Sequence, residues 1–354
     1  MTTRLCGALA CALLLVGAAG CGGGGKKSAG ITPPVSTTTG GGGTQLKVGL
    51  VTDVGGLNDR SFNHLAYLGL QRAQSRLGVS GRVLESRQPS DYIPNLSSLA
   101  RQHYDLIVAV GALMADATDA VATEFPKTRF AIVDFSQAAL KHSPKNVHGL
   151  VFKEQEAGYL VGYLAGLLEK DKAAEAGKAN TIGSVGGQKL PPVDHYIAGY
   201  QAGAKAADPG ITLVNGYSQD FVDPAKCKEL ALAQIGQGSD IEFQVAGGCG
   251  LGVLDAARTK GVWGIGVDAD QSYLGPHVLT SALKKVDLAV FRTIRQVKAG
   301  TFRGGADTLF DLKGDGVGIG RISPKVPAAY RAKVLQVAKD IASGKIANIP
   351  ETVG

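Results

Sequence analysis

No dense run of lysine and arginine interleaved with aromatic residues occurs in this chain, which argues against nucleic-acid binding. No helix-turn-helix pattern precedes the first strand candidate, so a DNA-reading regulator is also disfavoured. The six histidines, at 64, 103, 142, 148, 195 and 277, show no metal-ligand spacing. No Gly-x-Ser-x-Gly nucleophile elbow is present, and no short-period repeat is visible. Beyond the N-terminus, no segment is long and apolar enough to span a membrane. Cysteine is sparse, with 5 in 354 residues.

What remains is a chain with 44% hydrophobic residues and a mild formal charge of +7. That content supports a real core and one large or two ordinary domains. Arg4 supplies a minimal positive start, and the apolar run Leu5 to Ala19 is signal-peptide-like. Ala18-Ala19-Gly20-Cys21 resembles a bacterial lipobox, in which Cys21 takes lipid after cleavage; a plain secretory signal is the rival reading. Gly22 to Thr44 is rich in Gly, Ser, Thr and Pro and lacks periodicity, as expected of a flexible tether. The expected location is the extracytoplasmic face of a bacterial cell membrane. Cys6 and Cys11 leave with such a leader, so Cys227 and Cys249 remain in an oxidising compartment. A disulfide is the natural reading, with two free buried thiols as the alternative.

From Gln45 onward, strand and helix alternate. Strand candidates are Lys47–Val51, Arg82–Glu85, Leu106–Val110, Phe130–Asp134, Thr181–Val185, Thr212–Asn215, Ile241–Ala246 and Trp263–Val267. Helix-length segments separate them, which predicts parallel sheets covered by helices on both faces. A joint near Val151–Lys153 divides the series into two similar halves. In the tail, His277–Leu283 reads as a further strand, Val286–Lys298 as a helix, and Leu309–Leu312 with Gly316–Ile322 as a hairpin-like pair. Pro327–Ser343 closes the chain as an amphipathic helix. The expected lobes are 45–150 plus about 270–300, and 151–269 plus about 301–354.

The polar residues cluster at strand ends, where open α/β sheets bind ligands. Asp53 ends the first strand and Asp134 the fourth. Phe221 follows the sixth, Gly247 the seventh and Asp268 the eighth, and Lys284 follows the strand after that. Each has a plainer reading: Asp53 as a turn cap, Phe62 as a core residue, Asp268 and Lys284 as a structural ion pair. Their joint occurrence at corresponding strand ends points instead to a cleft for a polar, flat ligand.

The segment Asp53-Val54-Gly55-Gly56-Leu57-Asn58-Asp59-Arg60-Ser61-Phe62-Asn63 resembles the hallmark of the basic membrane protein family. These are bacterial substrate-binding lipoproteins, including purine nucleoside receptors of ABC transporters. The similarity continues through Val133-Asp134, Glu154 to Gly162, Phe221 to Lys226, Gln244 to Gly248, Gly266-Val267-Asp268 and Thr280 to Lys284. It implies a type I periplasmic-binding-protein fold, with two Rossmann-like lobes around a hinge. It further implies a non-catalytic, cofactor-free and metal-free receptor, acting as a monomer with a permease and an ATPase. By the same resemblance, Phe62 and Phe221 sandwich a base, Asp53 and Asn58 bond its edge, and Asp268, Lys284 and the Gly247 backbone hold the ribose. Asp134 matches a further acidic pocket position. A receptor for another small polar ligand, such as a sugar-like signal, is the alternative. A nucleoside hydrolase is a weaker one, because Asp53 and Asn58-Asp59 are sparse for a calcium cage.

Overall fold

The computed structural model describes residues 45–354. Cys21, the leader and the tether expected over 1–44 lie outside the described residues. In the first half, strands β1 (Lys47–Thr52), β2 (Ser80–Leu84), β3 (Leu106–Val110), β4 (Arg129–Val133) and β5 (Val147–Phe152) alternate with helices α1 (Phe62–Leu77), α2 (Tyr92–Arg101) and α3 (Ala115–Glu124). The second half begins with α4 (Glu154–Lys170). It continues through β6 (Thr181–Gly186), α5 (Pro191–Ala207), β7 (Thr212–Tyr217), α6 (Pro224–Gly236), β8 (Ile241–Val245), α7 (Leu251–Lys260) and β9 (Trp263–Asp268). The tail holds β10 (Val278–Lys284), α8 (Val286–Lys298), β11 (Ala306–Phe310), β12 (Val317–Ile319) and α9 (Ala328–Ala342).

Two six-stranded sheets result, ordered β11-β5-β4-β3-β1-β2 and β12-β10-β9-β8-β6-β7. Every pairing is parallel except β10 with β12. Central strands such as β3 and β8 are buried along their whole length, because helices cover both faces. This is the two-lobed α/β architecture anticipated from the alternating pattern.

The tail departs from the expected boundaries. Strand β10 belongs to the second sheet, whereas α8, directly after it, packs on α1 of the first lobe. β11 and β12 are not a hairpin: β11 runs parallel to β5 in the first sheet, and β12 runs antiparallel to β10 in the second. Strand β5 runs into the expected joint near Val151–Lys153, and His148 and Gly149 interrupt its apolar run. The chain therefore crosses between lobes at Lys153, at Lys285 and over 311–316. The crossings are tied to one another, with Lys153 N donating to Phe310 O at 3.0 Å and Lys285 N to Gly316 O at 2.9 Å. Among the described residues, no helix is long and apolar enough to cross a membrane.

Helices α4 and α5 lie unusually close. Gly158 and Gly162 on α4 face backbone carbonyls of Tyr196 and Tyr200 on α5, and a Cβ at either position would overlap them. Gly199 and Gly203 on α5 return the same fit against Gln155 and Tyr159. This backbone contact fixes the N-terminal turn of α4 beside the first turns of α5.

Candidate functional site

The carboxyl ends of β1, β4, β9 and β10 meet around a cleft of about 610 Å³ between the two sheets, part of it open to solvent. Asp53, Phe62, Asp134, Phe221, Gly247, Asp268 and Lys284 all line it. Asn58 does not. The 3-10 turn Leu57–Asp59 leaves Asn58 exposed and turns Asp59 inward, so the expected place of Asn58 at the site is corrected. In its place, Asp59 of that turn and Asn63 of the first turn of α1 line the cleft beside Asp53.

Asp59 fastens the start of α1. Its carboxylate accepts from the backbone N–H groups of Ser61, Asn63 and His64 at 3.0, 2.7 and 3.1 Å, at the positive end of the helix. Asn63 Nδ2 then donates to Asp53 Oδ1 at 2.8 Å and to Asp59 Oδ2 at 3.2 Å. Its buried Oδ1 has no partner among the described residues and is left as an acceptor. Asp53 Oδ1 also accepts from Gly55 N at 2.9 Å. Burial pushes Asp53 up to about 6, against the lowering effect of those two donors. Gly111, at φ 115°, lets the chain pass this acid, since a Cβ there would lie 2.7 Å from Asp53 Oδ2.

On the second lobe, Asp268 Oδ1 accepts from Tyr196 OH at 3.2 Å, and Oδ2 accepts from Ser61 Oγ at 2.9 Å. Burial raises its proton affinity, with Lys284 opposing. Lys284 Nζ donates to Asp134 Oδ2 at 2.6 Å and to Glu154 Oε1 at 3.0 Å. Burial works against the ammonium, but Asp134 and Glu154 outweigh it and hold Lys284 above the ordinary lysine value. The two acids then separate. Burial opposes the Glu154 charge too, but Lys284 and His195 outweigh it and hold Glu154 below its ordinary value. Burial pushes Asp134 up to about 7 despite Lys284. Asp134 Oδ1 is buried without a partner among the described residues. Both Asp134 and Asp268 hold left-handed backbone conformations, at φ 66° and 59°. Such strain in non-glycine residues concentrates at functional sites.

Phe62 and Phe221 reach the cleft from opposite lobes. Lys284 Nζ sits 5.0 Å from the Phe62 ring centre. Phe221 lies on the loop after β7, whose backbone is held by Asp220 Oδ1 accepting from Val222 N and Asp223 N. Phe221 O accepts in turn from Cys249 N at 3.1 Å. Cys249 is joined to Cys227 of α6, with their Cα atoms 5.5 Å apart. The bridge thus ties the Gly247–Gly250 turn to the helix that follows Phe221.

Residues not singled out from sequence include Ser61, Tyr196, Glu154 and His195. Tyr196 reads as one more apolar position on α5, and no local signal marks its hydroxyl. For Asn63 a signal did exist: it stands in the first turn of the helix whose start Asp59 caps, within reach of that acid. Among the described residues, no group of three His, Cys, Asp or Glu side chains is placed to hold a metal ion.

The family model for the PnrA-like ABC transporter substrate-binding proteins matches residues 46–351. An ABC transporter nucleoside-binding protein, BmpA, of Lactococcus lactis is 35% identical over 325 residues, covering 86% of this chain and 89% of that one. A lipoprotein of Pyrococcus abyssi is 33% identical over 317 residues, covering 86% of this chain and 76% of its own. The crystal structure of an ABC transporter solute-binding protein from Aeropyrum pernix superposes with a TM-score of 0.78 at 28% identity, covering 86% of this chain and 94% of that one. The fold is that of the periplasmic binding proteins, and the chain belongs to the PnrA-like family of ABC transporter substrate-binding proteins.

Proposed function

We propose that the protein captures a nucleoside, with preference for purines, between its lobes and delivers it to an ABC transporter permease. Lipidated Cys21 would tether it to the extracytoplasmic face of the membrane, in keeping with the lipoprotein naming of a relative. The observation that carries the ligand reading is the pairing of Phe62 and Phe221 from opposite lobes in one cleft rimmed by carboxylates. Two aromatic faces suit a planar base. Asp53 and the unpartnered Asn63 Oδ1 accept protons from a base edge, and Asp268 accepts from ribose hydroxyls. The charge balance supports an unphosphorylated ligand. Lining the cleft are Asp53, Asp59, Asp134 and Asp268 against Lys284, which already serves two carboxylates.

The test is a thermal-shift screen on purified protein refolded to remove carried-over ligand, because binding to the native state raises the melting temperature. Guanosine, adenosine or inosine should raise it, and their monophosphates should not. A response to sugars or amino acids with silence from every nucleoside would keep the receptor and discard the nucleoside.

A further inference from the structure

Behind the cleft, a chain of charges runs away from the ligand. Lys284 Nζ meets Glu154 Oε1 at 3.0 Å, and Glu154 Oε2 meets His195 Nδ1 at 3.1 Å. Glu154 is 2% exposed and opens α4. His195 sits in the second turn of α5 with its side chain 22% exposed, so it can exchange protons with solvent. The glycine-lined contact between α4 and α5 leaves this pair little freedom to part. None of this is needed to hold the helices together, since their backbones already interlock. An ionised acid placed there without a partner would be costly.

We propose that His195 is a positioning residue for ligand capture: through Glu154 it governs how far the charge of Lys284 is neutralised within the cleft. Lys284 has three donors. Asp134 and Glu154 take two, leaving one for a ligand oxygen. When His195 is charged, Glu154 divides its charge between two cations, and Lys284 keeps a stronger field toward the cleft. When His195 is neutral, Glu154 compensates Lys284 alone and the third donor weakens. The charged groups that face His195 are Glu154 from α4, Glu351 from the C-terminal segment and Lys284 from β10. Glu351 is exposed and engages Gln155 Nε2 at 2.7 Å, so solvent screens it. Burial opposes the imidazolium, but Glu154 outweighs it and holds His195 above its ordinary value. The charged form therefore persists to higher pH than that of a free imidazole.

The inference rests on the nucleoside reading for its ligand, so the test has a ligand-free arm. In the purified full-length protein with labelled histidine, NMR titration follows the His195 ring, identified by its loss in His195→Gln. Glu154→Gln should lower the pH at which His195 titrates, and Lys284→Met should raise it. Glu154→Gln keeps the shape of the site, so it decides the question should Lys284→Met fail to fold. Identical titration in every folded variant would overturn the proposal. In the second arm, calorimetry with guanosine compares wild type and His195→Gln, which keeps a donor to Glu154 but loses the charge. On the acid side of the His195 titration measured in the first arm the variant should bind about tenfold more weakly, and on its basic side the two should converge. Asp134 shares Lys284 and titrates in the same window, so the comparison is repeated in Asp134→Asn with and without His195→Gln, where the pH dependence of the ratio should persist. A constant ratio across pH would mark a structural role and overturn the proposal. Coupled titration without any heat from guanosine would uphold the charge relay and remove the nucleoside reading instead.

Discussion

The single Ser61 Oγ hydrogen is shared between Asp268 Oδ2 at 2.9 Å and the Val267 carbonyl at 3.1 Å, fastening the turn after β1 in the first lobe to the end of β9 in the second. Ser61 is fully buried, so this bond exists only while the lobes are together. One hydroxyl thereby closes the cleft and orients an acid that lines it. Under the proposed function, such contacts would couple ligand affinity to closure, because only a closed form makes the contacts of both lobes.

Ser61→Ala should weaken guanosine binding about tenfold, the worth of a buried hydrogen bond to a charged group. Solution scattering of the ligand-free variant should report a more open molecule. Affinity equal to wild type would remove Ser61 from the latch.

Phe62→Ala and Phe221→Ala should each cost about 1–3 kcal/mol of nucleoside binding, the usual worth of stacking one base on an aromatic side chain. Both rings are only half-buried, so the melting temperature of the ligand-free protein should change little. Titration calorimetry separates the cases: unchanged affinity in either variant would take that ring out of the pocket.

Cys227 and Cys249 close a loop with a sequence separation of 22. Constraining a loop of that size stabilises by about 3 kcal/mol. Cys227→Ala combined with Cys249→Ala should lower the melting temperature by several degrees and weaken binding, because the loop carrying Phe221 hangs from the same turn. An unchanged melting temperature would show that the bridge does not constrain the fold.

Glu242 lies fully buried on β8, with both oxygens lacking a donor among the described residues. Its neighbour across Gly183 is Gln234, whose Oε1 is likewise unpartnered. Burial pushes Glu242 from 4.5 up to about 8, against a smaller lowering by Ser239. The folded protein thus binds this proton more tightly than the unfolded chain. The resulting stability is present in full below about 4.5 and is lost as pH rises toward 8, amounting to on the order of a few kcal/mol. Glu242→Gln, a permanent donor of the same shape, should gain on wild type in melting temperature as pH climbs through that window. A difference that stays constant with pH would show that Glu242 does not titrate there.

Much of this molecule is legible locally. The apolar runs of β1, β3, β8 and β9 are buried on both faces, so their composition alone betrays them. Asp53, Asp134, Asp268 and Lys284 are legible because a polar residue that closes an apolar strand stands at the carboxyl edge of a parallel sheet. What sequence could not resolve depends on rotation and on distant pairing. Whether Asn58 or Asn63 enters the cleft is decided by how the 3-10 turn feeds α1. Whether β11 and β12 pair with each other or with separate lobes is decided by which sheet edge each one finds. Glu154, His195 and Tyr196 sit inside ordinary helical periodicity, and only the close backbone contact of α4 with α5 brings them to Lys284 and Asp268. The alternating α/β plan and the strand-end polar set are written in the order of residues, because both follow from the short periods of burial. Tertiary structure alone decided the interlobe latch, the charge chain behind Lys284 and the route of the tail, because these join residues on average far apart in the chain.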